Sequence, residues 1–305
     1  MNRPPPTVLF QPKVLAISLM VICPIICTSA AAQESDPVLY LAGDIADCRE
    51  TPAPQSAAAK TAKIITERLK QNPQAKVITL GDNTYPNGEL KEFNDCYAPT
   101  WGAFRQQTHP SPGNHEYRTP DAGGYFQYFA ERAGPEQRGY YRWQFGKWRI
   151  FSLHSYLKAP EKQAAQLAWL KKELASTPAG CTLAYWHHPL FSSGGHGNNN
   201  HMREIWDVLQ AAKADLILSG HDHDYERFAP QDGQGIANKN GMREFVVGTG
   251  GTPLTPFLVK KPNSEAADNS SHGVLQLVLR EHSYEWAFLS VEPGGFSDKG
   301  SAICH

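Results

Sequence analysis

The sequence has almost no net charge: 29 Lys and Arg stand against 30 Asp and Glu in 305 residues. A domain that binds nucleic acid by broad phosphate neutralisation needs a basic excess, so that class is excluded. Long hydrophobic runs are also missing. The apolar stretch at 14–26 is interrupted by Pro24 and falls short of the roughly 20 residues a membrane span requires. Internal repeats and linker-like segments are absent, which points to one folded domain. A hydrophobic content of 41% is too high for a disordered chain and supplies one large core or two modest ones. The 25 Gly and 23 Pro indicate many turns and long loops rather than a helical bundle.

Arg3 and Lys13 precede the apolar stretch, and Thr28-Ser29-Ala30-Ala31-Ala32-Gln33 follows it. A basic start, a short apolar segment and an Ala-x-Ala arrangement read as a signal peptide over 1–32, cut after Ala32. A single membrane anchor is the competing reading. The mature chain is then a single domain over 33–305, secreted or periplasmic, with no stable membrane insertion after cleavage. Cys23 and Cys27 leave with the leader, while Cys48, Cys96, Cys181 and Cys304 stay. An even number in an exported protein predicts two disulfides, with three connectivities open. The favoured one is Cys48 with Cys96 and Cys181 with Cys304, because the first two lie in long loops beside the candidate site.

Apolar patterning places strands at 38–42 and 77–80 around a helix at 57–69, a βαβ unit with parallel strands. A helical segment is expected near 97–104. Strands at 140–145 and 149–153 form a hairpin around Gly146-Lys147. Helices follow at 163–175 and 202–212, with strands at 182–186, 214–218, 245–247, 274–279 and 284–289, the last two antiparallel. The class is α/β. Several of these strands end in polar residues, and open α/β sheets bind ligands beyond the carboxyl ends of their strands. Asp44, Asp82, His187 and His221 therefore gather at one edge.

Asp44, Asp82, Asn114, His187, His221 and His223 are all oxygen or nitrogen ligand types in strand-end loops. Tyr85 follows Asp82 by three residues and returns a phenol to the same place. His221 and His223, one residue apart, serve two adjacent metals more easily than one. Such ions sit about 3.5–4 Å apart. Each residue alone also fits an ordinary turn or polar loop. Their joint occurrence does not, and positions 187–223 hold six of the 12 histidines.

Gly43-Asp44, Gly81-Asp82-Asn83-Thr84-Tyr85, Gly113-Asn114-His115-Glu116, His187 before Pro189, and Gly220-His221-Asp222-His223 resemble the calcineurin-like metallophosphoesterases, and within them the purple acid phosphatases. Many members of the superfamily carry a His where Ala46 stands here. The purple acid phosphatases instead use a Tyr at the position of Tyr85. The run from His221 to Arg227 resembles the closing motif of plant-type members, and His196 matches a substrate-side histidine.

The resemblance implies a four-layer α/β/β/α sandwich of two mixed sheets flanked by helices. It implies one metal on Asp44, Asp82, Tyr85 and His223, with Asp82 bridging to a second on Asn114, His187 and His221. The ions implied are Fe3+ with Fe2+, Zn2+ or Mn2+; a phenolate and carboxylates suit a hard trivalent ion, and imidazoles a divalent one. The expected reaction is hydrolysis of small phosphate monoesters by in-line attack of metal-bound hydroxide, without a phosphoenzyme, releasing inorganic phosphate at an acidic pH optimum. His115 and His196 are the residues expected to bind phosphate and protonate the leaving oxygen. For His115 the alternative is orientation of Asn114 or the bound water.

A phosphodiesterase of nucleotides or phospholipid head groups and a non-catalytic phosphate- or metal-binding module are the competing functions. No nucleic-acid scaffold partner is expected. Plant-type members carry a β-sandwich before the catalytic domain, for which 33–305 has no room. The stretch 192–200 reads as a flexible rim loop, and Tyr156, Trp186 and Phe228 as aromatics near the pocket, Trp186 the more core-like. His154, His188, His201 and Asp224 fit packing or hydrogen-bonding roles.

Overall fold

Short apolar runs bounded by Gly, Asp and Pro become strands, and their alternation decides which face each residue covers. The computed structural model describes residues 1–13, 36–176 and 180–305. The expected leader at 1–32 overlaps 14–35 and lies largely outside the described residues; 1–13 carry no helix or strand. The remainder, Asp36–His305, forms one unit.

In chain order the strands are β1 (Val38–Ala42), β2 (Lys76–Leu80), β3 (Thr108–Ser111), β4 (Tyr141–Phe145), β5 (Trp148–Ser152), β6 (Thr182–Tyr185) and β7 (Leu216–Ser219). They continue as β8 (Tyr225–Phe228), β9 (Arg243–Val247), β10 (Ser264–Asp268), β11 (Gly273–Leu279), β12 (Ser283–Ser290) and β13 (Lys299–Ile303). One sheet has the order β13-β12-β11-β1-β2-β3, and the other β10-β8-β9-β7-β6-β5-β4. In the first, β1, β2 and β3 run parallel while β11 to β13 are an antiparallel meander. In the second, β5, β6, β7 and β9 run parallel between antiparallel edges.

The central strands of the second sheet are apolar on both faces, as a sheet covered twice must be. Leu183, Tyr185, Leu216, Leu218, Phe245 and Val247 join the core shared with the first sheet. Their neighbours Ala184, Trp186, Ile217 and Val246 pack instead with Leu170, Trp206 and Leu209 of the helices Pro160–Ser176 and Arg203–Ala211. The helix Ala57–Gln71 covers the first sheet with Ala58, Ala62, Ile65 and Leu69. Ser56 caps it, its Oγ accepting from the Ala59 N–H at 3.2 Å. Helix, sheet, sheet and helix make the expected four layers of two mixed sheets.

The structure differs from the sequence expectations at irregular segments. The segment at 97–104 is not one helix: the wide turn Phe93–Tyr97 and the 3-10 turns of Trp101–Gln107 are separated by Thr100, at φ −115° and ψ −96°. Strands β3, β8, β10 and β13 and the helix Gly123–Phe129 were not expected. The favoured pairing of cysteines is present: Cys48 bonds Cys96 across a Cα separation of 5.8 Å, and Cys181 bonds Cys304 across 5.6 Å. The first joins the loop after β1 to the insertion after β2. No helix among the described residues is long and apolar enough to cross a membrane.

Leu218 lies fully buried between the sheets, so Leu218→Ala should cost about 2–5 kcal/mol in urea unfolding. Leu258, 67% exposed, should cost under about 0.5 kcal/mol on the same change. Equal losses would contradict the shared core.

Candidate metal centre

The loops that leave β1, β2, β3, β6 and β7 converge on one edge of the two sheets. Three residues in them adopt the left-handed region: Asp44 at φ 58°, Asp82 at 47° and His221 at 73°. Each such conformation costs a non-glycine residue about 1–3 kcal/mol and persists only where its surroundings enforce it. Backbone bonds between the loops do so, from Asp44 N to Gly81 O (3.1 Å), Ile45 N to Asp82 O (3.0 Å) and Tyr85 N to Ala46 O (3.0 Å). Glu116 completes the frame. Its buried carboxylate accepts from the backbone N–H groups of Asp82 (3.0 Å), Asn83 (2.7 Å) and Gly113 (2.6 Å).

The side chains fall into two sets with one atom in common. Tyr85 Oη lies 2.9 Å from Asp44 Oδ1, 3.3 Å from Asp82 Oδ2 and 3.4 Å from His223 Nε2. On the other side, His187 Nε2 lies 3.2 Å from Asp82 Oδ2, 3.1 Å from Asn114 Oδ1 and 3.2 Å from His221 Nδ1. Asp82 Oδ2 therefore belongs to both sets. Ligand atoms of Asp44, Asp82 and His187 all come within 4.8 Å of one another, as do those of His187, His188 and His221. All seven residues expected as ligands meet here.

Backbone carbonyls set the imidazole tautomers, since a carbonyl only accepts. His187 Nδ1 donates to Leu80 O at 2.8 Å and His223 Nδ1 to Pro253 O at 3.0 Å, which turns each Nε2 lone pair inward. Space is equally restricted. A Cβ on Gly113 would stand 2.1 Å from Asp82 Oδ1, and one on Gly81 2.6 Å from His187 Nδ1. Both glycines allow close approach to a ligand.

The donor set suits cations. Burial opposes ionisation of Asp82, yet the neighbouring His187 and His115 hold its carboxyl well below the usual range. Burial likewise depresses His187, but the Asp82 carboxylate outweighs it and raises the imidazole to about 10. A proton on His187 thus balances charge where a metal ion would. Burial, with Asp44 and Asp82 beside it, keeps the Tyr85 phenol protonated, so only a strong local cation makes it a phenolate.

His115 stands at the Asp82 side: its backbone N–H donates to Asp82 Oδ1 at 2.8 Å and its Nε2 lies 3.8 Å from Asp82 Oδ2. His196 lies over the other side, its ring centroid 4.3 Å from that of His221, with its side chain 48% exposed. Asp222 positions it, accepting from His196 N–H at 2.7 Å and from Nδ1 at 3.1 Å.

The rim loop is more firmly held than its Ser, Gly and Asn content implied. Three buried acidic side chains fasten it: Glu244 accepts from Leu190 and Phe191 N–H, Asp222 from Ser192 Oγ, and Glu226 from Ser193 N–H and Oγ. Ser192 and Ser193 are buried in consequence, and exposure begins at Gly195. Asp222, Glu226 and Glu244 had no assigned role in the sequence, although the spacing of Asp222 between two ligands was a usable signal. Of the aromatics expected near the pocket, Trp186 and Phe228 are core residues, and Tyr156 alone is partly exposed. His188 and His201 bond Ser155, and His154 bonds Tyr117, as hydrogen-bonding residues do. Asp224 is buried between Asp222 and Glu226, and burial with those charges raises its carboxyl to about 9.

Two mixed sheets with metal-capable clusters on their common edge define the scaffold of a metal-dependent phosphoesterase. The sequence pattern of the calcineurin-like phosphoesterases matches residues 38–225, more than half of the chain. The chain belongs to that family. Purple acid phosphatase 15 of Arabidopsis thaliana is 27% identical over 204 residues, covering 55% of this chain and 38% of the relative. Probable inactive purple acid phosphatase 1 of the same plant is 23% identical over 275 residues, covering 75% and 43%. The chain thus spans less than half the length of either relative. Purple acid phosphatase PPD1 of yellow lupin (Lupinus luteus) shares the fold with a TM-score of 0.70 at 21% identity, covering 89% of this chain and 54% of that one. A dimetal phosphatase from Danio rerio gives 0.62 at 14% identity, covering 89% and 100%.

Glu244, buried under the rim loop, has its carboxyl raised by desolvation from 4.5 to about 8. Between those values the unfolded chain ionises this group while the folded protein keeps it neutral, so rising pH favours unfolding. The contribution is complete below pH 4.5 and is lost as pH climbs to about 8. Thermal unfolding of Glu244→Gln should therefore lose less between pH 5 and 8 than the parent, by at least about 2 °C. Parallel curves would mean that Glu244 is ionised in the folded protein.

Proposed function

We propose that the protein is an exported binuclear-metal phosphomonoesterase of the acid phosphatase type, with Asp44, Asp82, Tyr85 and His223 holding one ion and Asp82, Asn114, His187 and His221 the other. The observation that carries this reading is the membership of Asp82 Oδ2 in both donor sets, 3.3 Å from Tyr85 Oη and 3.2 Å from His187 Nε2. A phenol with two carboxylates on one side fits a trivalent iron, and imidazoles with an amide oxygen on the other fit a divalent iron, zinc or manganese. Bound there, two such ions lower the pKa of water and neutralise phosphoryl oxygens.

The chain's own residues supply the rest. His115 fixes the bridging carboxylate through its backbone N–H and faces the phosphate with Nε2. Asp222 accepts from His196 Nδ1 and turns Nε2 of that exposed ring away from itself; in the doubly protonated imidazolium, Nε2 is the nitrogen that gives its proton to the leaving oxygen. Water attacks phosphorus in line with that oxygen, and no side chain is phosphorylated. Two disulfides support an oxidising compartment, and with it a leader at 1–32.

Asp82→Ala should remove both ions by elemental analysis and abolish turnover of 4-nitrophenyl phosphate; two retained ions with a near-parental rate would refute the assignment. In iron-loaded protein Tyr85→Phe should bleach the visible band, and an unchanged spectrum would place the phenolate elsewhere. His196→Ala should lower kcat by about 100-fold to 10,000-fold with metal content intact. Faster hydrolysis of bis(4-nitrophenyl) phosphate than of the monoester would make the protein a diesterase.

A further inference from the structure

The chain from Pro253 to Pro262 forms a strap beside the metal-capable clusters, fastened at both ends to residues of that edge. Near its start, Pro253 O accepts from His223 Nδ1 at 3.0 Å and Thr255 N–H donates to His223 O at 3.0 Å. Farther along, Leu258 N–H donates to Ser193 O at 3.0 Å and Lys261 N–H to Ser193 Oγ at 2.8 Å. Ser193 stands three residues before His196 on the rim loop. Pro253, Pro256 and Pro262 restrict the strap's backbone further.

What the strap turns outward is apolar and basic. Leu258 is 67% exposed and Val259 66%, although the backbone on either side of them is hydrogen-bonded, so fraying does not account for their exposure. Lys260 and Lys261 follow, and neither ammonium has a hydrogen-bond or ion-pair partner among the described residues. No acidic residue occurs from 248 to 264, and the first beyond, Glu265, is paired with Arg227 and Arg243. The adjoining turn adds one more exposed apolar side chain. Asn263 Nδ2 donates to Gly235 O at 2.8 Å, and Ile236, 64% exposed, follows that glycine.

We propose that the strap docks the metal-centre face of this protein on an anionic phospholipid membrane, peripherally and without a spanning segment. Reversible binding to such a surface takes two signals: apolar side chains that enter the headgroup layer, and cations that meet the lipid phosphates. Leu258 and Val259 supply the first, with Ile236 beside them, and Lys260 and Lys261 supply the second. So few apolar side chains fall well short of a stable dimer interface, which buries about 800 Å2 on each partner. Because the strap is tied to His223 and to the rim loop, docking brings the exposed His196 side of the clusters toward the lipid headgroups. Binding through the strap does not depend on phosphomonoesterase turnover.

The test is co-sedimentation of the whole, metal-loaded protein with vesicles of phosphatidylcholine and phosphatidylglycerol, against vesicles of phosphatidylcholine alone. The parent should partition onto the anionic vesicles at least about tenfold better, and raised salt should weaken that binding. Leu258→Ser with Val259→Ser, and separately Lys260→Glu with Lys261→Glu, should each lower the partition at least about tenfold. Both double variants should melt within about 2 °C of the parent, so that the loss reports on the surface and not on folding. Ile303→Ser serves as the control: Ile303 is 81% exposed but precedes the Cys304–Cys181 bridge, where β6 begins, whereas His187 follows the end of β6. That variant should bind as the parent does. Absence of parental binding, binding unchanged in both double variants, or an equal loss in Ile303→Ser would overturn the proposal. A concentration-dependent dimer that Leu258→Ser with Val259→Ser abolishes would overturn it in favour of a second copy of this chain. Vesicle binding that depends on the strap, in a protein that does not hydrolyse 4-nitrophenyl phosphate, would uphold the docking and overturn the phosphomonoesterase reading alone.

Discussion

A carboxylate taken out of water needs opposite charge or several hydrogen bonds, and Asp82 is almost wholly buried. Among the described residues the groups that meet it are imidazoles, a phenol and a backbone N–H, with no lysine or arginine hydrogen-bonded or ion-paired to it. Its charge is therefore balanced either by a proton on His187 or by cations lodged between Asp82 and the donors around it. The second solution satisfies more atoms at once. It allows the Tyr85 phenol to ionise, which burial and the Asp44 and Asp82 carboxylates otherwise oppose, and it meets the lone pairs that Leu80 and Pro253 carbonyls turn inward on His187 and His223.

The two sheets make that position possible. Asp44 and Asp82 leave neighbouring strands of one sheet, and His187 and His221 neighbouring strands of the other, so four side chains reach one point from two directions. Three of those four backbones or their neighbours would relax without restraint, because Asp44, Asp82 and His221 sit in a strained region. Glu116 and the loop-to-loop bonds supply local restraint, and the apolar core shared by both sheets supplies the rest. The rigidity of the centre is thus a property of the whole sandwich, in the sense that catalytic geometry demands support behind the groups in contact with substrate.

The strands that carry Asp44, Asp82, His187 and His221 were legible because a buried parallel strand is a short continuous apolar run, and Gly-Asp after such a run stands out; β3, which reads Thr-His-Pro-Ser ahead of Asn114, was not. Of the edge strands, β4 was legible from its hairpin with β5, but β10 and β13 were not. β10 and β13 read Ser-Glu-Ala-Ala-Asp and Lys-Gly-Ser-Ala-Ile, with little apolar alternation, and are strands because a neighbour offers its free backbone groups. The rim loop was misread for a related reason. Its composition is that of a mobile segment, whereas its order comes from Asp222, Glu226 and Glu244, which reach it from 30 to 54 residues away. Composition reports what a segment does alone. Tertiary hydrogen bonds overrule it.

Likeness to relatives does not choose between activity and its loss, since purple acid phosphatases and probable inactive ones both resemble this chain. The choice lies in the donor atoms. A fold that had drifted toward simple anion binding would be free to lose the phenol, because an anion site needs donors and cations rather than Tyr85 against two carboxylates. It would also have no use for three glycine-permitted approaches, at Gly81, Gly113 and Gly220, that let backbone pass within contact of His187, Asp82 and Asp44. Such close quarters restrict every alternative side chain and stabilise nothing by themselves. Their presence in one place, around a carboxylate shared by two donor sets, is what a pair of cations requires.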